Sequence, residues 1–210
     1  RKVLTTTEAP ALRQELLMLL AEVENRQPEH GKQSEAALRE VLELDPLHGG
    51  AYRALARLVR DGERWGALRD LIEAREKHVA EVKERLALLW QAVEIDEALL
   101  YDREHATELL RRITELDPKD LKACRVLERN YAAAERWHDL DDLLIHEVDL
   151  IPHDELPELK LRRAELALVR FSQASAALDL LADVLEQVPA HPRAIGFVER
   201  VLDDPEQRRR

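Results

Sequence analysis

The sequence predicts an all-α solenoid, and three observations carry that prediction. The first is composition: 45% of residues are hydrophobic and 36% charged, with only six glycines and 4% aromatics. Leu, Ala, Glu and Arg dominate, which favours helix over strand. The second is periodicity. Apolar residues such as Leu17, Leu20 and Val23, then Leu38, Val41 and Leu42, mostly fall three or four apart, the spacing of one helical face. The third is repetition. Glu63-Arg64-Trp65 returns as Glu135-Arg136-Trp137, 72 residues on, and Pro46, Pro118 and Pro189 are spaced by 72 and 71. Chance seldom keeps so many positions in phase, and a period of this kind marks stacked helical units.

Each element follows from its breakers. Helices are expected near 9–26, 33–45, 48–60, 64–79, 83–100, 103–116, 119–134, 136–149, 155–170, 174–187 and 191–203. Pro46, Pro118 and Pro189 end helices because proline lacks the amide and clashes with the preceding turn. Asp61-Gly62 reads as a C-terminal turn with glycine taking the left-handed backbone. Pro152-His153-Asp154 breaks the chain before Leu156, whereas Ala80-Glu81-Val82 holds no strong breaker, so the helices around it are drawn closest to continuous. Five residues after each proline stands Ala51, Ala123 or Ala194, and twelve before each stands Ser34, Ala106 or Ala177. Short connections make consecutive helices antiparallel.

Each period splits into two hairpins. In the hairpin from Glu158 to His191, the residues Leu161, Ala164, Glu165, Leu168, Ala177, Leu181, Val184 and Pro189 resemble the tetratricopeptide repeat pattern. The same pattern is visible in Tyr52, Leu55, Ala56 and Val59, and in Cys124, Leu127 and Tyr131. The resemblance runs from about Leu12 to the C-terminal helix and is to multi-repeat bacterial members of the family. It implies a right-handed α-α superhelix of about eleven helices, or roughly five and a half hairpins. The expected organisation is a flank over 1–8, one solenoid over 9–204 in blocks near 9–80, 81–152 and 153–204, and a tail over 205–210. Glu128 and Glu199 stand where the family prefers a small residue, and Gln27-Pro28-Glu29-His30-Gly31 and Tyr101-Asp102 are short insertions.

The net charge of −11 disfavours a nucleic-acid binder, because phosphates need a positive field. No run of apolar residues is long enough to span a bilayer. The chain opens on Arg1 without a signal-peptide pattern, so a cytoplasmic location is expected, with the reservation that a leader could be missing from a fragment. Cys124, the one cysteine, occupies a core position and reads as an inert thiol. The eight histidines show no metal spacing, His146 and His153 included. No phosphate loop, nucleophile elbow or zinc-hydrolase motif occurs, and no carboxylate stands isolated in an apolar run as a tuned acid would. The reading is a non-enzyme with neither cofactor nor metal.

The resemblance implies that the first helix of each hairpin lines a concave face. Position by position, this aims Arg53, Arg57, Arg60, Lys122, Arg125, Arg129, Arg162, Arg193 and Arg200 into the groove, with Trp90 and Phe197 as aromatic anchors. Arginine suits carboxylates and phosphates because its fork binds them bidentately. The expected role is a protein-binding scaffold for a partner protein or peptide, an acidic segment being the one the arginines suit. The competing reading is that these arginines pair with Glu22, Glu94 and neighbouring acids and only solvate the face. Trp65 and Trp137 read as structural wedges, since register favours structure. A second expectation is an assembly segment that self-associates through Ile195, Val198, Val201 and Leu202, an apolar stripe on a last helix with no successor.

Overall fold

The computed structural model describes residues 10–25 and 31–203. These residues form eleven α-helices and no strand, in the expected order and each within a few residues of its expected bounds. They are α1 (Pro10–Asn25), α2 (Gly31–Leu44), α3 (Gly49–Asp61), α4 (Trp65–Glu76), α5 (Val82–Ile95), α6 (Arg103–Leu116), α7 (Leu121–Ala133), α8 (Trp137–Glu147), α9 (Leu156–Val169), α10 (Ala174–Gln187) and α11 (Pro192–Asp203). A π-helical turn, Asp96–Leu100, continues α5. The insertion at 27–30 lies outside the described residues. The chain divides into two compact units, one ending at Leu116 and one beginning at Asp117, just before Pro118.

In the first unit α1 packs on α2, α3 on α4 and α5 on α6, with α2 against α3 and α4 against α5. In the second, α7 packs on α8 and α9 on α10, and α11 closes over α9 and α10. The small residues that repeat in the sequence are buried between the packed helices. Ala51, Ala123 and Ala194 are fully buried, as are Ala106 and Ala177, while Ser34 is buried with its hydroxyl donating to the Ala21 carbonyl at 2.9 Å. A larger side chain there would hold the paired helices apart.

The turn after each proline is built twice in the same way. Asp45 Oδ1 accepts from Leu47 N at 3.0 Å, and Asp117 Oδ1 accepts from Lys119 N at 3.1 Å. The residue two places after the proline then caps the next helix. His48 Nδ1 accepts from Ala51 N, Asp120 Oδ1 from Ala123 N, and His191 Nδ1 from Ala194 N. Each cap satisfies a backbone donor that has no partner inside the helix. Two of the eight histidines are thereby accounted for without a metal.

The hairpin-opening motif corrects one expectation. Gly62 is not left-handed: its φ is −88°. The left-handed residue is the glutamate after it, Glu63 at φ 51°, and in the second copy Glu135 at φ 54°. Glu63 N donates to Arg60 O and Arg64 N to Val59 O; Glu135 N donates to Ala132 O and Arg136 N to Tyr131 O. Both are Schellman closures, which turn the chain through one left-handed residue after the helix has ended. Trp65 and Trp137 start the following helices and are half-buried.

Between α4 and α5 the helix does stop. Lys77 and His78 donate to Glu73 O and Arg75 O, and Val79 is buried as the anchor of the turn. The reason is packing: α5 folds back along α4 and buries Leu88, Leu89, Ala92 and Val93.

Candidate functional site

The second unit holds an opening of about 460 Å³ bounded by α7, α8 and α9. From α7 come Arg125, Glu128, Arg129 and Ala132; from α8, Trp137, Leu140 and Leu144; from α9, Arg162, Glu165, Leu166, Val169 and Arg170. The helical spacing explains the selection. Arg125, Glu128, Arg129 and Ala132 fall three or four apart on α7, as Arg162, Glu165, Leu166 and Val169 do on α9. The result is an apolar floor under a rim of four arginines and two glutamates.

The rim is partly neutralised inside the protein. Arg162 pairs with Glu128, and Arg125 donates to Glu155 at 3.1 Å. Arg170 lies over the Trp137 ring at 4.1 Å, a cation–π contact, and makes no ion pair among the described residues. Beside it His138 stacks on Phe171 at 4.6 Å, so two aromatic contacts fasten the α9–α10 turn to the start of α8. Arg129 is exposed on the rim.

Behind the rim lies a feature that contradicts the sequence reading, which found no isolated carboxylate. Glu147, the last residue of α8, is 0% exposed. Neither of its oxygens meets a donor, and the carboxyl of Glu128 stands beside it. Burial pushes it up to about 8, helped by the hydrogen bond to and the charge of Glu128, with Arg162 and Arg125 opposing. The sequence signal was hidden because Glu147 stands between His146 and Val148 in a stretch that also holds Asp141, Asp142 and Asp149. Cys124 is fully buried beside it, and burial raises the thiol to about 11, so it stays protonated and inert as expected.

Of the expected groove residues, the opening therefore gathers Arg125, Arg129 and Arg162. Arg53, Arg57, Arg60 and Trp90 belong to the other unit. Arg57 there pairs with Asp61 at 3.6 Å beside a separate apolar hollow lined by Met18, Leu19, Leu38 and Leu58. Lys122 is exposed, and Arg193 pairs with Glu158 at 2.5 Å and Glu165 at 3.7 Å. Phe197 is not an anchor for a partner. It is buried in the cluster with Leu161, Leu181 and Val201, and Arg200 stacks on it from outside at 5.3 Å. The same packing dismantles the expected stripe on α11: Val201 is buried and Val198 half-buried, leaving Ile195 and Leu202 exposed.

Arginine pairing of the kind weighed against the groove is thus present at Arg57, Arg125, Arg162 and Arg193, through Asp61, Glu155, Glu128 and Glu158. Arg170 follows Arg162 on the same hairpin and joins the rim, as does Trp137, which read from the sequence as a structural wedge.

Among the described residues no group of three or more His, Cys, Asp or Glu side chains could hold a metal ion. No described helix is long and apolar enough to cross a membrane. No family profile and no curated protein matches the chain. Several solved structures are similar. YrrB, described as a tetratricopeptide protein with an unusual peptide-binding site, is 16% identical over 87% of this chain and 90% of its own, with a TM-score of 0.41. A kinesin light chain of Podosopora anserina with nearly identical tetratricopeptide-like repeats is 18% identical over 89% of this chain and 100% of its own, TM-score 0.41. A thermophilic tetratricopeptide protein of Thermus thermophilus is 17% identical over 90% of this chain and 98% of its own, TM-score 0.38.

Proposed function

We propose that the chain is a non-catalytic scaffold that holds a segment of a partner protein in the groove between α7 and α9, and that the segment is acidic with a bulky apolar side chain. The observation that carries this reading is the placement of Arg125, Arg129, Arg162 and Arg170 around a floor of Leu140, Leu144, Leu166 and Val169. An apolar side chain fits the floor, and carboxylates beside it meet the guanidinium groups of Arg129 and Arg170. Desolvated aromatic and arginine contacts at the centre of a patch supply most of the energy in such recognition. Trp137 with Arg170 on its face forms such a centre.

The test is fluorescence anisotropy with a labelled peptide rich in Glu, Asp and Leu. Binding to the intact chain is expected, with a loss of about tenfold or more for Arg129→Glu combined with Arg170→Glu, since like-charge contacts cost several kcal/mol. Arg53→Glu, in the other unit, should leave affinity unchanged, and circular dichroism should show full helicity in every variant. Equal affinity in wild type and the double variant would remove the groove arginines from the account.

A further inference from the structure

We infer that Glu147 and Glu128 share a single proton behind the groove wall, and that this proton sets the groove's charge, so that an acidic segment binds with uptake of a proton. The inference rests on the groove reading above for its second half only. The first half stands on the structure of the free protein.

Glu147 is fully buried and no donor reaches either of its oxygens. Its neighbour Glu128 is also largely buried; one of its oxygens pairs with Arg162 and the other, also buried, meets no donor. Two adjacent carboxylates in such a place cannot both be charged, because each would be desolvated against a like charge. A single proton joins one Glu147 oxygen to the orphan Glu128 oxygen and leaves the other Glu147 oxygen uncharged. Carried on Glu147, it donates to Glu128, and Glu128 keeps its charge for Arg162. The pair then titrates as one unit. The groups facing it are Cys124, Arg125 and Glu128 on α7 and Arg162 on α9, with Asp120 near Cys124 at the start of α7. On its own helix the adjacent His146 turns away and bonds the Pro118 carbonyl at 2.9 Å.

The repeat shows that this arrangement is particular to the second unit. Seventy-two residues earlier Glu147 and Glu128 correspond to Arg75 and Ala56, so no carboxyl pair stands there, and Arg75 stacks instead on the ring of Tyr52, the counterpart of Cys124, at 4.8 Å. Where the first unit packs a guanidinium on a ring, the second holds the Glu147 carboxyl and Cys124.

Glu128 and Arg162 are the link to the groove, since both line it. With the proton in place the groove lining carries four arginines against two glutamates. Losing the proton adds a second negative charge directly behind Glu128, which weakens the pull on an acidic segment. Linkage makes the effect reciprocal: an acidic segment in the groove holds the proton more tightly.

The experiment is a carboxyl carbon NMR titration of the intact chain, free and saturated with the labelled acidic peptide, beside Glu147→Gln. Gln is isosteric with the protonated acid and cannot titrate. The free wild type should show one carboxyl titrating near 8, absent from Glu147→Gln and moved upward by the peptide. Affinity for the peptide should fall by about threefold to tenfold as pH rises through that step in the wild type, the range expected of one added charge at partly screened distance, and stay level in Glu147→Gln. A wild type whose carboxyls all titrate in the ordinary acid range would overturn the shared proton. An affinity that falls equally in Glu147→Gln would overturn its hold on the groove. A peptide that binds at no pH would sink the groove reading and the gating with it, while the titration of the free protein would still decide the shared proton.

Discussion

At the scale of single residues, two glutamates bear a backbone conformation that L side chains adopt at a cost. Glu63 and Glu135 sit at φ 51° and 54°. Glycine would adopt the same conformation without a Cβ clash, so Glu63→Gly and Glu135→Gly should each stabilise the fold by about 0.5–1 kcal/mol. The midpoint of urea unfolding measures this; a lower midpoint for either variant would show that the glutamate makes a compensating contact. The residues after them differ in partner. Arg64 pairs with Glu35 at 2.8 Å and holds that carboxyl below its ordinary value, whereas Arg136 pairs with Asp139 at 2.9 Å and lies over Tyr131 at 4.9 Å. Glu147 carries a different consequence. Its folded value near 8 lies above the ordinary 4.5, so the folded chain holds a proton that the unfolded chain releases. Its contribution is fully present below the unfolded value and is lost as pH rises through the window up to about 8. Glu147→Gln should therefore be more stable than wild type at alkaline pH and close to it in mild acid. Denaturation at a series of pH values checks the sign, and parallel curves for the two proteins would refute it.

At the scale of elements, the first unit is held by a charged network where α4, α5 and α6 meet. Asp96 and Glu76 are fully buried. Asp96 accepts from Arg69 at 3.0 Å and lies 2.6 Å from His105 Nδ1. Glu76 accepts from Arg85 at 2.7 Å and pairs with Arg112, which also reaches Glu73 at 2.9 Å. The π-turn has a reason here: it continues α5 past Ile95, starting from Asp96, while the left-handed Tyr101 lets the Asp102 amide return to the Asp96 carbonyl. Removing Arg112 leaves the buried Glu76 with Arg85 as its one remaining cation, so Arg112→Ala should cost about 1–3 kcal/mol. Adding Glu76→Leu to it should recover part of that loss, because the stranded charge goes with it. A double-mutant cycle by urea denaturation measures both, and a double variant no better than the single one would mean that packing and not charge is at stake.

At the scale of the whole molecule, the contact pattern divides the chain between Leu116 and Asp117. In each unit stability comes from neighbouring hairpins, as in a chain of nearest-neighbour contacts. Leu181→Ala, at a fully buried site in the cluster of α9, α10 and α11, should cost about 2–5 kcal/mol. Its effect on amide exchange should concentrate in α9–α11 and spare α4–α6. Uniform loss of protection along the chain would show that the two units unfold as one.

Much of this was legible before the structure. Proline, the small residues buried between packed helices and the apolar spacing are local signals, and their physics acts within a few residues. That is why the eleven helices, the turns after Pro46 and Pro118 and the buried Cys124 follow from the sequence by itself. The fate of charge did not follow. Whether an arginine faces a groove or an acid depends on which helix passes opposite it, and that is set by packing between residues about thirty apart, such as Arg162 with Glu128 and Arg170 with Trp137. Phe197 and Glu147 make the same point from opposite sides. An aromatic that read as a surface anchor is core, and a glutamate in an acidic stretch is the most deeply enclosed carboxyl of its unit, because burial belongs to the assembled helices and not to the residue.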